Sequence, residues 1–196
     1  MKKILLLTCI GIIMVAAGQA MAESKPIQLS LTPDIAIFDR NTEIAGLTLS
    51  IWGENPQKSM ALGFANGSTG MSAGFSLGFI LNYADSYKGV QWAPVNYTKA
   101  NFIGWQAGIV NYTGGPMKGL QIGVVNYAEG PVKGLQTGVV NYAAHLTGLQ
   151  LGLINYAAKA TSGVQIGVIN IIPQNQWFAE FPNELAPGMV IVNWRF

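Results

Sequence analysis

The chain has 196 residues, with 11 basic and 9 acidic side chains, 24 glycines, one cysteine and one histidine, and only 10% of its residues are charged. So low a charged share, against about 25% in ordinary globular domains, argues against a nucleic-acid surface and for a chain that buries or shields apolar area in an unusual way. A single cysteine excludes an internal disulfide framework, and the length is that of one domain.

The N-terminus reads as a secretory signal over residues 1–22. Lys2 and Lys3 make a basic start, Ile4 to Ala17 is a nearly unbroken apolar run, and Gly18-Gln19-Ala20-Met21-Ala22 ends in a small-x-small cleavage pattern. Cys9 leaves with this segment, so the exported chain has no thiolate ligand and no cysteine to carry a lipid anchor. Lys2 and Lys3 are two of the 11 basic residues and all 9 acids lie beyond residue 22, so removing the signal leaves the charges balanced. What remains, 23–196, is expected to be a single β domain with repeats at about 60–171.

The first expected strands are 44–52, 59–66 and 71–83, and 27–39 offers a hairpin that Pro33 divides into pieces too short to cross a bilayer. From residue 89 the sequence repeats: GVQWAPVNY (89–97), GWQAGIVNY (104–112), GLQIGVVNY (119–127), GLQTGVVNY (134–142), GLQLGLINY (148–156) and GVQIGVINI (163–171). The leading glycines lie 15, 15, 15, 14 and 15 residues apart. ALGFAN (61–66) and SLGFILNY (76–83) are weaker copies upstream. Links such as Thr113-Gly114-Gly115-Pro116 and Glu129-Gly130-Pro131 separate the units.

Each unit alternates with the period of a strand. Leu120, Ile122, Val124 and Asn126 then share one face, and Gln121, Gly123, Val125 and Tyr127 the other. A nine-residue strand is about 30 Å long and, tilted by about 40°, covers about 23 Å, close to the apolar band of an outer-membrane barrel. Ten strands, the last at 188–196, give the even count such barrels require. The architecture expected on these grounds is all-β, an antiparallel up-and-down transmembrane β-barrel of about 10–12 strands. Its lipid face would carry the Leu/Ile/Val series. Its lumen would be lined by Gln106, Gln121, Gln136, Gln150 and Gln165, by Gly108, Gly123, Gly138, Gly152 and Gly167, and by Tyr112, Tyr127, Tyr142 and Tyr156. Pro94 sits where other units carry Ile, Val or Leu and cannot donate to a ladder, so the barrel needs a bulge there. The 172–187 link, with Trp177, Phe178, Phe181, Glu180 and Glu184, would lie outside the cell or cover the barrel mouth.

The chain ends Val190-Ile191-Val192-Asn193-Trp194-Arg195-Phe196. The aromatics Trp194 and Phe196 resemble the C-terminal signature of bacterial outer-membrane proteins, although Ile191 stands where that signature has glycine. The resemblance implies the barrel assembly machinery as a partner. The GLQxGxxNY units also look like the surface-repeat proteins of some bacterial outer membranes, a family without an established activity.

Chemistry is sparse. His145 is expected as an exposed turn residue, the acids form no close pair in the repeat, and no Gly-x-Ser-x-Gly elbow occurs. Periodic glycines are architectural and do not make a phosphate loop. Lys88, Lys118 and Lys133 each precede a repeat glycine and are expected to be solvated. No enzymatic activity, cofactor, metal or nucleic acid is expected. Outer-membrane lipid and a small solute are the expected partners. Two classes of function follow: an outer-membrane barrel acting as a passive pore or surface scaffold, or a soluble periplasmic or secreted β-solenoid acting as a binding or structural module. In the solenoid, 15 residues would wrap three sides of about five, with Val, Ile and Leu stacked inside and asparagines in a ladder at one corner.

Overall fold

A computed structural model describes residues 24–196. The signal-peptide reading of 1–22 lies outside the described residues. The described chain is all strand and turn: β1 (Lys25–Thr32), β2 (Ile35–Ala36), β3 (Ile44–Asn55), β4 (Met60–Trp92), β5 (Val95–Thr98), β6 (Phe102–Ala107), β7 (Val110–Thr113), β8 (Met117–Ile122), β9 (Val125–Ile171) and β10 (Gly188–Arg195). Among the described residues no helix is long and apolar enough to cross a membrane.

The strands pair in parallel, and the register gives the architecture. Gly104 pairs with Gly119 and Gly119 with Gly134, so every residue lies on its equivalent one repeat earlier. The same holds for Asn96, Asn111 and Asn126. One repeat is therefore one turn of a β-solenoid of about eight turns, its coils stacked about 4.8 Å apart. β4 and β9 run through several coils without interruption.

This overturns the antiparallel barrel. Among the described residues there is no closed sheet of membrane-crossing strands, and hence no porin-like lumen. Antiparallel strand pairing among them occurs only at the two ends, where β2 folds back on β1 and β10 lies along the last coil of β9. The cause is local. In the 117–131 coil, Gln121 and Asn126 are both fully buried, which strict alternation forbids because five residues separate them. The chain turns at Gly123-Val124, and Val124 and Val125 both face outward, exposed and half-buried. That corner reverses the phase, so Asn126 is interior and Tyr127 exterior. Pro94 occupies this same corner, and its carbonyl accepts from the Ile109 and Val110 amides of the next coil, so no bulge is needed.

The interior is mostly amide. Asn66, Asn82, Asn96, Asn111, Asn126, Asn141, Asn155 and Asn170 stack as one column, and Gln91, Gln106, Gln121, Gln136, Gln150 and Gln165 as another, all at most 2% exposed. Buried amides are costly unless paired. Here each Asn Nδ2 donates to the next Asn Oδ1, at 2.9 Å from Asn111 to Asn126 and 2.8 Å from Asn126 to Asn141. Each glutamine donates the other way, at 2.8 Å from Gln121 back to Gln106 and 2.7 Å from Gln136 back to Gln121. The apolar spine is thin. Tyr87, Phe102, Met117, Val132 and Leu146 run up one corner beside the small Ala128, Ala143 and Ala157. Apart from Val132 and Leu146 in that spine, the Val, Ile and Leu of the repeat mostly line the outside of the solenoid, the reverse of the expected stack inside it.

Two positions show why glycine sets the beat. Gly119 has φ +128°, and a Cβ there would strike the Gly104 carbonyl below it. Gly123 approaches Gly108 and the Asn111 amide too closely for any side chain.

Both ends are closed. At the N-terminal end residues 33–43 fold back, with Gln28 donating to the Phe38 carbonyl at 2.8 Å. At the C-terminal end residues 172–187 cross the last coil, burying Ile172, Asn175, Leu185 and Ala186, and Glu184 pairs with Arg195 of β10. The 172–187 segment is thus a cap, although Trp177, Phe178 and Phe181 remain exposed.

Candidate functional site

The described interior amides are buried and paired with one another, and the broad exposed surface is the outer wall. Three columns make most of it. Trp92, Ala107, Ile122, Thr137 and Ile166 hold one, with Ile109, Val124, Val139, Leu153 and Val168 at the adjoining corner. Beyond the corner, Tyr97, Tyr112, Tyr127, Tyr142 and Tyr156 form the third, their rings nearly parallel (interplanar 4–10°) with centroids 4.4–5.8 Å apart. Trp92 and Trp105 extend the aromatic surface, stacked at 6.5 Å. Many of these apolar side chains are open to water, among them Ile109 at 56%, Leu153 at 54% and Val168 at 59% exposed.

The tyrosine column has a polar head. Tyr83 pairs in register with Tyr97, and its hydroxyl accepts from Trp52 Nε1 and donates to Glu54 Oε2, both at 2.8 Å. Desolvation, with a smaller push from the Glu54 carboxylate, raises this phenol to about 12. Tyr112 is also held above the ordinary phenol range by desolvation first and then by Glu129, and Tyr142 by desolvation first and then by Tyr127 and Tyr156.

The structure separates the three series assigned to a lumen. Gln106, Gln121, Gln136, Gln150 and Gln165 are sealed between coils at 0% exposure. Gly108, Gly123, Gly138, Gly152 and Gly167 make corners, each touching the coil below. Tyr112, Tyr127, Tyr142 and Tyr156 point outward. With no barrel there is no lumen for them to line. Trp194 and Phe196 belong to the capping strand and its end: Trp194 Nε1 donates to the Pro182 carbonyl at 2.9 Å, and the Phe196 amide donates to the Asn183 carbonyl at 2.9 Å. They finish a solenoid edge and close no barrel seam.

His145 is half-buried, and its Nε2 lies 3.0 Å from Thr161 Oγ1. Among the described residues no three His, Cys, Asp or Glu side chains come together as a metal site. The polar head at Trp52, Glu54 and Tyr83 escaped the sequence reading, because Glu54 and Tyr83 are 29 positions apart. The doubled 15-residue offset was the one signal that could have joined them. No protein-family model, curated protein or solved structure matches this chain.

Proposed function

We propose that this chain is an exported β-solenoid that acts as a binding or structural module, with its apolar and tyrosine-lined outer wall as the contact surface. The observation that carries this reading is the inversion of polarity, with amides sealed inside and Ile, Val, Leu, Trp and Tyr arrayed outside. Exposed apolar area on this scale marks an interaction surface. Parallel coils give that surface an extended, regular spacing suited to a long or repetitive partner. The basic-apolar-small pattern of residues 1–22 supports export, and the likeness of the repeat to surface-repeat proteins supports a place in the cell envelope, in the periplasm or outside the cell.

The test uses the full chain and a wall variant, Val124→Lys with Val139→Lys. Both side chains are exposed, so the β-type circular dichroism should persist. The native chain should bind an apolar-surface dye and associate with the envelope fraction, and the variant should lose most of both. Equal dye binding and equal envelope association by the two proteins would overturn the proposal.

A further inference from the structure

A different corner of the coil, away from the tyrosine column, carries a charged column. Lys88 pairs with Ile103, Ile103 with Lys118, and Lys118 with Lys133. Lys118 and Lys133 are thus on adjacent rungs, like charge directly over like charge, which is unfavourable in a sheet. The ion pairs of the described residues join Arg40 to Asp34 and Glu54, Lys58 to Glu43, and Arg195 to Glu184, and none reaches these three lysines. Each lysine precedes a repeat glycine, so no side chain follows it to crowd the surface.

The lysines stand around a cleft of about 380 Å³. Its exposed apolar wall is made by Met71, Ile103, Pro116 and Pro131. Tyr87, Phe102 and Met117 lie behind this wall, at most 1% exposed, as part of the core that backs the cleft. Unpaired cations beside an apolar cleft of ligand-binding size define a complementary ligand.

We propose that this cleft binds an amphipathic carboxylate, a monoacid with a straight apolar tail, the tail against Met71, Ile103 and the prolines and the head between Lys118 and Lys133. The site lies apart from the tyrosine-lined wall and does not depend on that wall being a contact surface.

Calorimetric titration of the full chain with decanoate tests it, with decyltrimethylammonium as the probe of equal tail and opposite charge. Decanoate should bind at least about tenfold more tightly than the cation. In a Lys118→Gln, Lys133→Gln variant, both positions being exposed, decanoate affinity should fall by about tenfold and the preference for the anion should vanish. Val124→Gln with Val139→Gln should bind decanoate as the native chain does, which separates this site from the outer wall. No decanoate binding, equal binding of the two probes, or an unchanged affinity in the lysine variant would overturn the assignment.

Discussion

Asn111 and Tyr112 are neighbours in sequence, and so are Asn126 and Tyr127, yet the two columns they build obey different physics. The asparagine column is sealed from water, and its links from Asn66 to Asn170 vary only between 2.8 and 3.1 Å. The tyrosine column is outside, and its ring spacing alternates unevenly between 4.4 and 5.8 Å. Directional bonds in a dry interior fix the rungs. Ring stacking in water follows those rungs and tolerates slippage. The same 15-residue beat therefore specifies the fold on one side of the chain and decorates it on the other.

Breaking the inner column should do the most damage. Asn126→Leu keeps the branched side-chain shape, with bulkier methyls, but leaves the Asn111 donor and the Asn141 acceptor without their partners, and should cost about 4 kcal/mol in denaturant unfolding. A loss below about 1 kcal/mol would show that the ladder does not set the stacking. Gly119→Ala should come next, at about 3 kcal/mol, from the positive φ and the collision with Gly104. Gly188→Ala, where a Cβ meets nothing, is the control and should leave the midpoint unchanged. Tyr127→Ala should cost less, about 2 kcal/mol, for two lost ring contacts. If it cost more than Asn126→Leu, the contrast between the columns would be reversed.

The smallest effect concerns pH. Tyr83 is raised from 10.0 to about 12 in the folded chain, so its contribution is fully present below pH 10 and is lost as pH climbs toward 12. Above pH 10 the unfolded chain gives up this proton before the folded chain does, which favours unfolding. Unfolding midpoints of the native chain and Tyr83→Phe should therefore be displaced by a constant amount below pH 9 and converge between pH 10 and 12.

Much of this was legible beforehand. The spacing of Gly104, Gly119 and Gly134 announced one structural unit per 15 residues, and the Val/Ile-rich units between breakers announced strands. What local pattern could not convey was the corner. From Leu120 to Tyr127 the residues alternate convincingly, and a single extended strand is the simplest account. Only the stacking of whole coils makes Gly123 a place where a side chain would collide, and only that corner moves Asn126 to the same side as Gln121. The polarity of the interior was hidden for a related reason. Buried amides are costly singly and become acceptable when each finds its copy one coil away, a property of the array and not of any unit. The lysine column was visible as three residues with a common offset, but the cleft beside it exists only once Met71, Tyr87 and Pro131 are brought together.

The two amide columns point in opposite directions along the axis. Asparagine donors face the C-terminal end and glutamine donors the N-terminal end, and the Gln165 acceptor left without a partner marks where the second series stops. An α-helix accumulates a macrodipole because all its peptide units are aligned. Here each added coil contributes two opposed side-chain dipoles, so no electrical tension builds at the tips as the array lengthens. Gene duplication could insert or delete a unit between the caps without re-tuning either terminus, which makes the number of coils a freely adjustable ruler.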